Sequence, residues 1–236
     1  MDKIAWITDS MAFFPPGEAE KLGVHVVPTV IIINGESYRE YTDLSIEQLN
    51  QKMRESSSVI PTTSQPSFGE LVELYEHLQA EGYDYAYAVH ITSGLSGTYA
   101  SSVAAADAVG FKLYAIDSYT GAANQQNMLR LSIEMAQAGK QPEEVMQVLE
   151  QFKHHSHFYL IIGNMETMRR SGRVSSSQFL LANMLNIKPI VKFDEVGKLV
   201  PFKKVRSIKK AFQEMSSEIA SKIEQFGLYN QTLYIG

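Results

Sequence analysis

The run Tyr85-Ala86-Tyr87-Ala88-Val89-His90-Ile91 constrains the fold more than any other stretch, because it reads as a buried strand and so needs cover from other elements. Thr92-Ser93-Gly94-Leu95-Ser96-Gly97-Thr98 follows, and then a helix of small residues from Tyr99 to Val109. A strand, a Gly/Ser/Thr loop and a helix together can make an anion site. The glycines let the backbone approach a ligand closely, and the helix start offers unpaired N–H groups with a partial positive charge. Ser93, Ser96 and Thr98 add hydroxyl donors. The same residues can equally do no more than cap the helix.

Strands and helices alternate from Met1 to about Phe152, which predicts a mostly parallel α/β lobe. Ile4-Ala5-Trp6-Ile7 leads into Thr8-Asp9-Ser10. Asp9 therefore falls at the carboxyl end of a strand, where ligands collect in parallel sheets, although a loop cap accounts for it as well. Val24 to Ile33 reads as one strand, with an edge or a bulge at Pro28. Capping boxes are expected at Ser45/Gln48 and Ser67/Glu70, the second opening a helix with Leu71, Leu74, Tyr75 and Leu78 as its buried stripe. Between two prolines, Pro61-Thr62-Thr63-Ser64-Gln65-Pro66-Ser67 is held extended. A strand from Phe111 to Ile116 ends in Asp117-Ser118. Helices over Ala122–Ala138 and Glu143–His154 complete a first lobe at residues 1–154.

The second lobe, residues 155–236, is expected to hold a mixed sheet. It contains a strand over Phe158–Ile162, a short helix over Met165–Arg170 and a helix from Gln178 to Asn186. Antiparallel strands over Ile187–Phe193 and Lys198–Val205 follow. A long helix then carries Ile208, Phe212, Met215, Ile219 and Ile223 on one face, and a strand spans Gln231–Ile235. A strand is an odd end for a pattern that still calls for a partner helix, so the lobe is expected to be truncated.

The 236 residues are 44% hydrophobic and 20% charged, as in a soluble globular protein, and contain no cysteine, which excludes disulfides and thiolate metal sites. No apolar run is long enough to span a membrane, no signal-peptide pattern opens the chain, and a cytoplasmic location fits. A net charge of −5 argues against a dedicated nucleic-acid binder. Met165 to Lys210 nevertheless carries eleven Lys/Arg against three Asp/Glu, which could serve an anionic ligand or an acidic partner or be a solvated surface. His154, His155 and His157 lack the further ligands a metal site needs.

Thr8-Asp9-Ser10, Thr63-Ser64-Gln65-Pro66-Ser67, Ser93 to Tyr99, Arg169-Arg170-Ser171-Gly172-Arg173-Val174 and Leu185 to Ile190 resemble, in order and spacing, the DegV family of bacterial fatty-acid-binding proteins. The resemblance implies two α/β lobes with one long-chain fatty acid between them and no other cofactor. It implies a carrier rather than an enzyme, similar to the acyl-carrier subunit of fatty acid kinase. Such a carrier presents the carboxylate to a separate ATP-dependent kinase, and the acyl phosphate enters phospholipid metabolism. By the same resemblance Thr63 and Ser96 hold the carboxylate. Asp9, Ser10, Ser64, Ser93, Gly94, Gly97 and Thr98 are possible neighbours of the head group. Arg170 and Arg173 are candidates for the acyl phosphate or the kinase. Family members continue past Gly236 to a Gly/His-rich segment near the head group. The helix Phe179–Leu185 is the expected tunnel wall. The rival reading is a serine hydrolase using Ser96 with His90 or Asp117, although Gly94-Leu95-Ser96-Gly97 lacks the Gly-x-Ser-x-Gly elbow and His90 reads as a core histidine. A third reading is a regulatory interaction module using the basic region.

Overall fold

The computed structural model describes residues 2–55, 61–163, 168, 171–173 and 187–226. The chain divides into two compact units, Met1–Ser156 with Glu195–Lys198, and His157–Asp194 with Leu199–Gly236.

In the first unit the described elements are β1 (Ile4–Asp9), α1 (Glu18–Lys21), β2 (Val24–Val27), β3 (Val30–Ile33), β4 (Glu36–Arg39), α2 (Ile46–Glu55), β5 (Thr62–Ser64), α3 (Phe68–Ala80), β6 (Tyr85–His90), α4 (Thr98–Val109), β7 (Leu113–Asp117), α5 (Ala122–Gln137) and α6 (Pro142–His155). Strands β2-β1-β6-β7 form a parallel sheet in that order. All six residues of β6 are buried because both faces are covered. Ala86 and Ala88 pack on one side with Leu71, Tyr75, Leu78, Ala105 and Ala106. Tyr85, Tyr87 and Val89 pack on the other with Met128, Leu129, Val145 and Leu149. The alanines admit α3 and α4 closely on the first side, and the tyrosines fill the wider second side. Leu71, Tyr75 and Leu78 are fully buried, each worth about 2 kcal/mol of removed apolar surface, while Leu74 is half-buried.

Both capping boxes form. The Ser67 hydroxyl accepts from Glu70 N–H while Glu70 accepts from Ser67 N–H, and Ser45 and Gln48 do the same. One strand expectation is corrected. Val24 to Ile33 is not a single strand: β2 joins the parallel sheet, and β3 centres a separate antiparallel sheet, β4-β3-β5. Pro28 has no N–H for a ladder, and the chain turns there. Thr29 N–H donates to Ser10 Oγ, and Ser10 and Thr29 hydroxyls both donate to Glu40 Oε2 at 2.6 Å.

In the second unit β8 (Tyr159–Ile161), β9 (Lys188–Phe193) and β10 (Leu199–Val205) form a sheet ordered β10-β9-β8, and every described pair is antiparallel. Its register shifts between Pro201 and Lys203, where β10 lies at the edge. Helix α7 (Ile208–Phe226) adds Ala211 and Met215 to a small core with Ile190, Val205, Tyr159, Ile161 and Phe202. The expected stripe holds at Met215, Ile219 and Ile223, which are half-buried, but is shifted in the first turns: Ala211 is buried, whereas Ile208 and Phe212 are each 44% exposed. The helix expected over Met165–Arg170, apart from helical Met168, the helix over Gln178–Asn186, which includes the tunnel wall, and the strand over Gln231–Ile235 lie outside the described residues.

Candidate functional site

Three strands of the parallel sheet end in Asp9, His90 and Asp117, with His90 opposite Asp117 in the ladder. The sheet grows outward from β1 to β2 on one side and from β6 to β7 on the other. The strand order therefore reverses between β1 and β6, the place where open parallel sheets bind ligands.

At that reversal the sheet is filled by its own polar groups. Asp9 is completely buried. Its Oδ1 accepts from Met11 N–H and from Gln125 Nε2, both at 3.1 Å. Its Oδ2 accepts from Ile91 N–H at 2.9 Å and pairs with His90 Nδ1 at 3.2 Å. These contacts satisfy a buried carboxylate from within the protein. Asp9 thus acts as the cap that was one of its two sequence readings, and Ser10 is likewise buried in its contacts to Thr29 and Glu40.

The loop after β6 is more open. Ser93 and Gly97 are exposed, Ser96 is half-buried and Thr98 is buried. Thr92 anchors the loop: its N–H donates to Thr120 O, and its hydroxyl donates to Gly197 O at 2.7 Å. Leu95 and Ser96 N–H groups both donate to Thr92 O, closing a tight turn, and Ser93 N–H donates to Asp117. Ser96 Oγ lies 2.8 Å from Thr98 Oγ1.

Neither loop glycine has a positive φ. Their lack of a Cβ admits close neighbours that belong to the protein. A Cβ on Gly94 would stand 2.2 Å from Gly197 O, and one on Gly97 would stand 2.3 Å from Gln65 Oε1. Gln65 Nε2 also donates to Ser101 Oγ at 2.7 Å. Gln65 therefore joins the end of β5, with exposed Thr63 and Ser64, to the first turns of α4. Thr63 sits opposite Ile31 in the β3–β5 ladder.

The hydrolase geometry is not assembled. Both ring nitrogens of His90 are engaged away from Ser96, Nδ1 with Asp9 and Nε2 with Ser102 Oγ at 2.8 Å. Asp117 accepts from the N–H groups of Ser93 and Tyr119. Asp9, His90 and Ser102 have the residue types of a catalytic triad, but all three are completely buried, and Tyr75 OH lies 2.5 Å from Ser102 Oγ. Burial pushes the Tyr75 phenol up to about 12, against the opposing effect of its bond to Ser102.

Arg170 lies outside the described residues. Arg173 belongs to the second unit, where its guanidinium donates to Ser171 O at 2.7 Å. Among the described residues no group of three or more His, Asp or Glu side chains could hold a metal ion, and no described helix is long and apolar enough to cross a membrane. Sequence reasoning missed Gln65, Ser102 and Gln125 as partners. Only their places on the expected elements were legible.

A family model described as "Uncharacterised protein, DegV family" matches residues 3–235. A DegV domain-containing protein of Listeria monocytogenes is 33% identical over 94% of this chain and 78% of its own length. The crystal structure of DegV, a fatty acid binding protein from Bacillus subtilis, superposes with a TM-score of 0.85 at 32% identity, over 95% of this chain and 79% of that one. A DegV family protein from Thermus thermophilus, solved in a study of its fatty acid binding, superposes with a TM-score of 0.83 at 29% identity, over 94% and 78% of the two chains. With the parallel sheet, the separate antiparallel region and a match over nearly its whole length, this chain belongs to the DegV family.

Proposed function

We propose that this protein binds one long-chain fatty acid and holds its carboxylate at Thr63 and Ser96. The observation that carries this reading is the Gln65 bridge, which ties an exposed strand of hydroxyl side chains to the start of a 12-residue helix. Hydroxyl donors and the partial positive charge of α4 can satisfy an ionised carboxylate without an arginine clamp. Ser64, Ser93 and Thr98 add hydroxyls around the two claimants. That the two solved relatives are fatty-acid-binding proteins supports the ligand class.

A head group held by neutral donors stays accessible to a second protein. The carrier reading follows: a separate ATP-dependent kinase transfers a phosphoryl group to a carboxylate oxygen, with Arg170 and Arg173 as candidate contacts for the acyl phosphate or the kinase. Native mass spectrometry with organic extraction tests the ligand. A near-stoichiometric fatty acid is expected, and a protein that takes up none even when it is supplied would sink the reading. Thr63→Ala and Ser96→Ala are each expected to weaken binding of a long-chain fatty acid about tenfold while leaving the fold intact.

A further inference from the structure

The hydrogen bonds linking Tyr75, Ser102, His90 and Asp9 form one buried chain. In the arrangement with Asp9 as the carboxylate and His90 neutral, Nδ1 donates to Asp9. Nε2 then accepts from the Ser102 hydroxyl, and Ser102 Oγ accepts from the Tyr75 phenol. Every proton of the chain is used in this arrangement.

The chain grips the 92–97 loop at both ends. Before the loop, Asp9 Oδ2 receives both His90 Nδ1–H and Ile91 N–H. Beyond it, Ser102 stands one helical turn past Thr98 on α4, so its bond to His90 fixes where the first turn of that helix lies against the sheet. Tyr75 extends the grip to α3.

We infer that His90 and Ser102 are positioning residues for the carboxylate site: the Ser102-to-His90 hydrogen bond sets the placement of the α4 N-terminus and its loop, and with it the preference for an ionised head group over a neutral one. This rests on the fatty-acid reading above. A contact that only held the fold together would affect all ligands of the same chain length alike. A positioning contact affects the part of affinity that depends on the carboxylate.

The test compares oleic acid with oleyl alcohol, which shares its chain and lacks its charge. The wild-type protein is expected to prefer the acid. Ser102→Ala and His90→Leu are expected to cut that preference about tenfold by weakening acid binding alone. His90→Gln is expected to restore it, because a carboxamide offers one donor and one acceptor as the imidazole does. Should Ser102→Ala not fold, Ser102→Cys keeps the volume with a weaker donor and carries the same expectation. Equal loss for acid and alcohol overturns the inference and leaves the fatty-acid reading standing. A wild-type protein that binds neither ligand overturns both.

Discussion

The two units solve the same problem with different materials. The parallel sheet of the first unit is covered on both faces, and Asp9 and His90 at its strand ends are buried and partnered. In the described part of the second unit a three-stranded antiparallel sheet packs α7 over a small core, and its strongest charge contacts lie at the surface. A buried polar group without its partner costs its full desolvation, so each member of the first network is expensive to lose. A surface ion pair is screened by water, and its removal is cheap. Sensitivity to substitution should therefore be concentrated at the ends of the parallel strands.

Asp9→Ala should show the largest effect. It removes the acceptor for His90, Ile91, Met11 and Gln125 at once, with an expected loss of about 3 kcal/mol or more. Urea unfolding followed by the fluorescence of Trp6, the single tryptophan, which lies on the same strand, measures it. A change under about 1 kcal/mol would break the contrast between the units.

The loop glycines give a smaller and graded effect. Gly94→Ala drives a methyl into the Gly197 carbonyl, which is backbone, and should cost about 2 kcal/mol. Gly97→Ala meets only the end of the Gln65 side chain, which can swing away, so the expected cost is about 1 kcal/mol with loss of the Gln65–Ser101 bond. The same unfolding assay ranks them, and the reverse order would show that Gln65 is the more rigid neighbour.

The smallest effect belongs to the second unit. Hydrogen bonds from Lys203 and Lys210 pull the Glu214 carboxyl down to about 2 from 4.5. A depressed carboxylate stabilises the fold fully above about pH 4.5, and that contribution is lost as the pH falls through about 2. Replacing both lysines with methionine should return the carboxyl toward its ordinary value in an NMR titration, with little change in stability at neutral pH.

Much of this architecture is local and so was legible in residue order. The buried run of β6, the capping boxes of α2 and α3 and the strand–helix alternation each depend on residues a few positions apart. The order of the motifs along the chain likewise carries the family resemblance. The division of Val24–Ile33 between two sheets was not legible, because a proline marks an interruption without saying where the chain goes next. Nor was the face of α7 in its first turns, where a small alanine packs closest and two larger apolar residues stay half in water.

The sequence by itself determined which segments are strands and helices in the first unit and which residue types stand at the strand ends, because periodicity and capping are short-range effects. Only the tertiary structure decided who partners whom. It gave Asp9 to His90 across 81 positions and to Gln125 across 116, and it set Gln65 between β5 and α4. A hydrogen bond forms with whatever the folded chain brings within about 3.2 Å, and separation along the chain carries no record of that distance.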